Sequence, residues 1–403
     1  MHLIADTGQD RSQGEAVVLR GTNQSGMRAQ NERTVLSILR RKGPLAKTDI
    51  ARITGLSVQA VSVIMRKLEE DGLLERREKL RGKVGQPLVP MALAPEGAFF
   101  IGLKLGRRST DLMLVDFLGR SIAVERNTYP YPTPDAVMRF VTTALPKVAN
   151  VLPERLRGRI GGIGIAMPFQ LWNWATYVGA PQSEMDAWRN RDIQAEVAAL
   201  SGLPTWVQND ATSACSAELV FGNEDRPSDF LYVFIAHFIG GGLVLNGKLH
   251  TGPSGNAAAI GSMPVPDPDP DGRMRQLITV GSLAGLERMM IARGLAANQI
   301  WDRAEDWNVP EDLRKSWIKA AAGGIAHATL CASATTELKA VMVDGWLPAA
   351  WRHDLADAIR HSITTLDFAG IDVPQVIEGS MGHLARTLGA ASLPLSQRFL
   401  VEA

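Results

Sequence analysis

Thr251–Val265 reads TGPSGNAAAIGSMPV, a glycine- and alanine-rich loop of the kind that lies against a small ligand, yet it carries no acid, base or metal ligand. Cys215 and Cys331 are the only cysteines in 403 residues. They are too few for a disulfide framework or a cysteine-based zinc cluster, and both read as buried small apolar residues. In DPDPD, Asp267–Asp271, the prolines hold the chain extended and splay the carboxylates, which makes a stiff solvent loop and not a calcium site. The amino-terminal part offers a different chemistry. Within VQAVSVIMRKLEEDG, Gln59 can pair with a base edge and Arg66 with a phosphate, among the outward residues Ala60, Ser62 and Val63.

Several elements must position those two side chains. Asn31–Lys42 sets Val35, Leu36, Ile38 and Leu39 on one side of a helix that Gly43-Pro44 stops. Leu45–Thr54 spaces Ile50 and Ile53 for burial, and Gly55 suits the left-handed residue that ends a helix. Ser57 is a natural N-cap for the third helix, with Val58, Val61, Ile64, Met65 and Leu68 inward and Gly72 as terminator. Gly55-Leu56-Ser57 is then the tight turn of a helix-turn-helix. LLERREKLRGKVGQPLVPMALAP adds a strand, a basic glycine-punctuated tip and a second strand, which is a wing. The predicted DNA contacts are Lys47, Thr48, Ser57, Gln59, Ser62 and Arg66, with Arg81, Lys83 and Gln86 at the wing tip. Residues 1–95 carry 16 Lys and Arg against 10 Asp and Glu, the remainder 27 against 32, so a basic module sits on a mildly acidic body. A helical protein-interaction module with a solvated basic face is the alternative.

From Phe99 the texture is α/β. FFIGLKLGRRSTDLMLVDFLGRSIAVERN reads as three strands joined by turns. IGGIGIAMP, PTWVQND, the helix ATSACSAELVFG and FLYVFIAHFIGGGLVLNGKLHTG form a second set. Two meanders, each followed by helices, predict a duplicated α/β core with a ligand cleft between lobes.

The chain resembles transcriptional regulators of the ROK family, named for repressor, open reading frame and kinase. The resemblance runs from Gly21 onward and is carried by the helix-turn-helix segment, LPTWVQNDATSACSAE, IGGGLVLNGKLHTGPSGNAAAIGSMPV and MGHLARTLGAASLPLSQ. It implies a winged helix-turn-helix joined to a duplicated actin/hexokinase-like ATPase fold, of the N-acetylglucosamine and xylose repressor kind. Family kinases hold ATP phosphates in turns like D-x-G-G-T and G-T-G-I-G-G-G. Here the matching stretches are Lys104-Leu105-Gly106-Arg107-Arg108 and Ala236–Gly242, AHFIGGG, where a lysine, an arginine, His237 and Phe238 stand in the way of phosphate and metal. Asp210 matches the family's catalytic base; in a non-kinase it accepts a ligand hydroxyl or caps the helix from Ala211. The family's sugar-binding Glu and zinc-binding His, in G-x-A-G-E-I-G-H, become Ala259 and Ser262. Its zinc cysteines are replaced across PDPDPDGRMRQLITVGSLAG, where Ala284 stands for a second sugar-binding Glu.

The resemblance and its departures together predict no catalysis, no zinc and no ATP, hence no cofactor. The expected effector site is Gln170, Asn209, Asp210, Gly255, Asn256, Ala259 and Ser262, with Trp172, Trp174 and Gln182 nearby and Phe169 narrowing the cleft. Either the altered pocket takes a ligand with fewer hydroxyls or with an anionic group, or the body only dimerises. Trp301, Trp307, Trp317, Trp346 and Trp351 read as helix packing or interface. The predicted organisation is an arm over residues 1–26, the winged helix over 27–95 and the two-lobed effector and oligomerisation body over 96–403. A polar Met1–Gly26 and the absence of a span-length apolar run point to the cytoplasm and away from a membrane. The expected protein is a regulator, a repressor of carbohydrate-related genes, binding a double-stranded operator and a sugar, sugar derivative or polyol as a homodimer or homotetramer. A carbohydrate kinase with an accessory domain and an effector-blind DNA-binding oligomer are the alternatives.

Overall fold

A computed structural model of the chain describes residues 24–78, 89–268 and 273–401. Three helices open it, α1 (Gln24–Lys42), α2 (Lys47–Thr54) and α3 (Val58–Glu70), followed by a short antiparallel pair, β1 (Leu74–Arg76) with β2 (Met91–Leu93). Gly55 adopts φ +72°, the left-handed turn that its place between α2 and α3 requires. Ser57 Oγ accepts the Ala60 amide at 3.1 Å, satisfying one orphan donor of α3. Val61, Ile64, Met65 and Leu68, spaced i, i+3, i+4 and i+7, bury one face of that helix against Val35, Leu36, Leu39 and Ile50.

Three sequence expectations fail here. Ile53 and Val58, assigned inward, are 43% and 44% exposed, because each lies at an end of its helix beyond the reach of α1. Cys331 is exposed while Cys215 is buried, since the face of its helix that carries Cys331 meets no other layer. The first helix starts at Gln24, inside the segment assigned to the arm. Arg81, Lys83 and Gln86 fall outside the described residues.

Two sheets with one topology make up the body. In the first, β3 (Phe99–Leu105), β4 (Ser109–Asp116) and β5 (Ser121–Thr128) form an antiparallel meander, and β6 (Ile160–Met167) and β7 (Thr205–Asn209) add in parallel, giving the order β5-β4-β3-β6-β7. In the second, β8 (Phe230–Ile235), β9 (Gly240–Leu245) and β10 (Lys248–His250) are the meander, and β11 (Ala340–Gly345) and β12 (Gln375–Glu378) are the parallel pair, giving β10-β9-β8-β11-β12. The duplication read from the sequence is thus a repeated strand order. Between the sheets run α4 (Asp210–Phe221) and the carboxyl-terminal α5 (Ala385–Phe399), both buried over most of their length.

Glycines let these layers meet. A Cβ on Gly102 of β3 would lie 2.2 Å from Thr387 O, one on Gly164 of β6 1.8 Å from Ala390 O, and one on Gly389 of α5 1.7 Å from Ser213 O. Backbone therefore touches backbone where α5 crosses β3, β6 and α4. The amino-terminal helices join the same packing: Val35, Leu36, Leu39 and Leu68 belong to one apolar cluster with Phe100, Met113, Phe117, Leu388 and Leu395.

Candidate DNA interface and ligand cleft

On α3, Gln59, Ser62, Val63 and Arg66 fall at i, i+3, i+4 and i+7 and share the face opposite the core, with Gln59, Val63 and Arg66 exposed. Arg66 makes no ion pair among the described residues, whereas Arg52 is tied to Asp49 at 2.9 Å, Lys67 to Asp71 at 2.6 Å and Arg76 to Glu69 at 2.7 Å. Lys47 and Thr48 are exposed at the start of α2, and Ser57 keeps its hydroxyl proton after capping α3. A capped helix with an amide near its amino terminus, small residues along the same face and the Arg66 guanidinium two turns on matches the major groove in shape and charge. The sequence places Val63 outward, but Ile53 and Val58, assigned to the core, add to the apolar part of this surface. Val63 is 54% exposed, and with Ile53 and Val58 it offers methyl groups that suit thymine methyls.

The second site is a cavity of about 460 Å³, lined from β3, β4, β5, β8, the loops after β6 and β10, and both central helices. Of the effector-site residues read from the sequence, Gln170, Asn209, Asp210, Asn256, Ala259 and Ser262 lie on its wall. Gly255 does not: at φ +73° it forms a turn with its would-be Cβ facing Phe169 at 3.4 Å. Trp174 reaches the cavity, but Trp172 and Gln182 pack together beside it, with Gln182 Nε2 donating to Trp172 O at 2.9 Å. Trp301 and Trp346, assigned to packing, also line the cleft, while Trp351 packs edge-to-face on Trp307 at 5.0 Å and tilted on Trp317 at 6.0 Å.

The helix cap falls one residue earlier than assigned. Asn209 Oδ1 accepts the amides of Ala211 and Thr212 at 3.0 and 3.3 Å, so Asn209 caps α4 and Asp210 is its first residue. Freed from capping, the Asp210 carboxylate receives Arg386 Nη1 at 3.2 Å from the start of α5. Arg386 comes from 176 residues downstream, and neither periodicity nor motif announces it.

Arginine and lysine dominate the lining. Lys104, Arg107, Arg108, Arg126 and Arg386 face one lining carboxylate, Asp210. Behind them Asp111 accepts Lys104 Nζ at 2.9 Å and pairs with Arg126 at 3.3 Å, and Glu287 accepts Arg108 at 2.6 Å. Burial pushes the Lys104 ammonium down to about 8, although Asp111 pulls it back. His237 feels the same field. Burial and then Arg107, Arg108, Arg288 and Arg386 push its imidazole down to about 2, and Glu287 Oε2, at 3.8 Å, is beyond hydrogen-bond reach. The imidazole is therefore neutral wherever the fold survives, and its NMR ring resonances should stay flat from about pH 5 to 8, the range in which an ordinary histidine titrates. A midpoint near 6.5 would mean that the cleft is neither dry nor positive.

ATP with its metal does not fit this donor set. Lys104 stands at the position that the family resemblance gives to the metal-side acid, and its Nζ is bound to Ser109 Oγ at 2.8 Å and to Asp111. Gly240, Gly241 and Gly242 have a packing role: a Cβ on each would meet Ala211 Cβ at 2.7 Å, Tyr232 O at 2.8 Å and Cys215 Cβ at 2.3 Å, respectively. Phe238 lines the cavity with Gly240 and Gly241, its ring 5.0 Å from Trp174 and 4.5 Å from His237. At the positions the family resemblance gives to the sugar-binding Glu and the zinc-binding His stand Ala259 and Ser262.

Comparison with known proteins bears on both sites. The ROK family model matches residues 100–397, and a winged helix-turn-helix DNA-binding model matches residues 28–75. The xylose repressor of Caldicellulosiruptor bescii is 23% identical over 309 residues, which is 74% of this chain and 75% of the repressor. The crystal structure of a ROK family transcriptional regulator, described as a homologue of the E. coli MLC protein, superposes with a TM-score of 0.66 at 18% identity, covering 92% of this chain and 97% of the other. A ROK family glucokinase from Streptomyces griseus, in complex with glucose and AMPPNP, superposes with a TM-score of 0.56 at 21% identity, over 73% of this chain and 99% of the kinase.

Proposed function

The chain belongs to the ROK family, and on that premise we propose that it is a DNA-binding transcriptional repressor whose kinase-like body senses a small effector without catalysing a reaction. The observation that carries this reading is the outward face of α3. Gln59 and Arg66 are exposed on a capped helix, in a module that shares its core with the body. The likeness to a xylose repressor over three quarters of both chains supports the same reading. A sugar, sugar derivative or polyol is the effector class in keeping with it. The protein acts as a homo-oligomer, so that two-fold symmetry sets two α3 helices into successive major grooves of a palindromic operator. The site of action is the cytoplasm, and among the described residues no helix is long and apolar enough to cross a membrane.

Features of the cleft support the reading without catalysis: Asp210 is engaged by Arg386, an ammonium stands at the position the family resemblance gives to the metal-side acid, and Phe238 lines the cavity beside the glycine turn. The observation favouring a kinase instead is that Asp210 does line the cavity. Mobility-shift titration with the chain's own upstream DNA separates regulator from interaction module. Specific binding should weaken steeply with salt, and Arg66→Ala should lower affinity roughly tenfold, as expected for loss of one charged contact. Binding indifferent to both sinks the interface assignment. A coupled ADP-release assay over a sugar panel tests the rest, because turnover abolished by Asp210→Asn makes the protein a kinase.

A further inference from the structure

The loop that the family resemblance gives a sugar-binding Glu presents Ala257, Ala258 and Ala259 to the cavity, and Arg108, Arg126 and Arg386 line the same cavity from other elements. Even with Asp111 and Glu287 counted behind the lining, Lys104, Arg108, Arg126 and Arg386 outnumber the three carboxylates by one. Excess positive charge in a partly dry cavity is costly unless an anion shares it. The arginines are also held in a particular way. Arg108 lies over the Trp301 ring at 5.4 Å, Arg126 over Trp346 at 5.3 Å and Arg386 over Phe234 at 5.2 Å. A guanidinium seated on an aromatic face keeps its donors in its own plane, directed at acceptors beside it. Nε of Arg108 and of Arg386 are buried with no hydrogen-bond partner, and each is a donor of the kind that carboxylate and phosphate oxygens accept. Phe169, Trp174, Phe238 and Ile278 add apolar surface to the lining, beside the uncharged polar side chains of Gln170, Asn209, Asn256 and Ser262.

We propose that the cleft takes a small organic anion, a carboxylate or phosphate group on a ring or apolar body, with Arg108, Arg126 and Arg386 on the anion and Trp174 and Phe238 against the body. This deepens the effector reading and rests on it: negative charge, not a set of hydroxyls, is what the site recognises. Its volume suits a molecule of about the size of a substituted monosaccharide or an aromatic acid.

The test uses the full chain, tryptophan fluorescence and thermal shift at matched ionic strength. The probes are inorganic phosphate, glucose, glucose 6-phosphate, glucuronate and phenyl phosphate. The expected result is saturable quenching of Trp301 and Trp346 by at least one organic anion, with glucose at least about tenfold weaker than its charged counterparts. Phosphate against carboxylate probes then tells which anion is preferred. Because the DNA-binding face also attracts anions, Arg108→Gln should abolish the response while Arg66→Ala leaves it intact. Circular dichroism and operator binding of Arg108→Gln establish that it folds, and Arg126→Gln gives a second, more exposed variant with the same expected loss. The proposal is overturned if no probe anion outperforms chloride, if glucose binds as well as glucose 6-phosphate, or if the response is lost in Arg66→Ala and kept in Arg108→Gln. Those outcomes leave operator binding untouched, so this failure and that of the repressor reading are distinguishable.

Discussion

Gly389→Ala should lower the melting temperature by about 10 °C or more, or leave no soluble protein, although it adds a single methyl group. The new Cβ would sit 1.7 Å from Ser213 O and 2.3 Å from Ser213 C, both backbone atoms of the neighbouring helix α4. Overpacking against side chains costs about 1–3 kcal/mol because rotamers give way. Here no rotamer can yield, so two buried helices must separate, and the cost should exceed about 3 kcal/mol. Gly323→Ala is the matched control. It lies in the interior of the helix Glu311–Thr336, is exposed, and has nothing within 4 Å of its would-be Cβ. Alanine there should stabilise the protein by about 0.5–1 kcal/mol, the ordinary helix-propensity gain. Calorimetry on the two variants reads opposite signs from one chemical change. Equal, small shifts would mean that α4 and α5 are not in backbone contact.

That contact matters because α5, like α4 beside it, runs from the cleft to the DNA-binding module. Its first turn brings Arg386 to Asp210 in the cleft, and its last turn brings Phe399 to Phe117 at a ring separation of 5.2 Å, next to α1. Beyond it, the Val401 amide donates to Ser37 Oγ of α1 at 3.1 Å. A change in how Arg386 is held therefore has a direct mechanical route to the DNA-binding module, through a helix packed too closely to bend independently of β3 and β6.

Local signals in the sequence were reliable where one residue decides one feature. Gly55 ends α2, Ser57 caps α3, and the strands between Phe99 and Thr128 and between Phe230 and His250 follow alternation and glycine turns. The loop at Thr251–Val265 was identified as a cavity wall, and Asn256, Ala259 and Ser262 are on it. Features set by tertiary packing were not legible. Nothing in LAKTDIARIT says that Ile53 lies past the edge of α1, and either Asn209 or Asp210 satisfies the pattern of a helix cap. The substitutions at Lys104 and Arg107 were visible as departures from a phosphate turn. That Arg126 and Arg386 join them from other elements, turning a loss of phosphate binding into a cluster of cations, depends on the fold.

Arg40→Ala should turn a single thermal transition into two and raise amide exchange across residues 31–70 by tenfold or more, while β8 and β11 exchange as before. Arg40, in the last turn of α1, is a half-buried cation: its Nη2 donates to Phe117 O, and its guanidinium lies over the Phe117 and Phe221 rings at 5.4 and 5.6 Å. Burial pulls its pKa down to about 10, with Asp116 working the other way. Truncation leaves the Phe117 carbonyl without that donor and opens space between two rings, for a cost of about 2–4 kcal/mol at the joint between module and body. The neighbouring Lys42–Glu224 pair spans the same joint at 3.3 Å with both side chains about half exposed, and Lys42→Ala should change stability by less than about 1 kcal/mol. A body that senses an effector can alter DNA affinity only if the two conformations differ in how the module is held, since coupling is a free-energy difference transmitted through contacts. Loosening Arg40 should thus leave α3 able to bind operator DNA but no longer answerable to the cleft. A single transition with uniform exchange in Arg40→Ala would place the coupling elsewhere, on the connection through β2 and the strand that follows it.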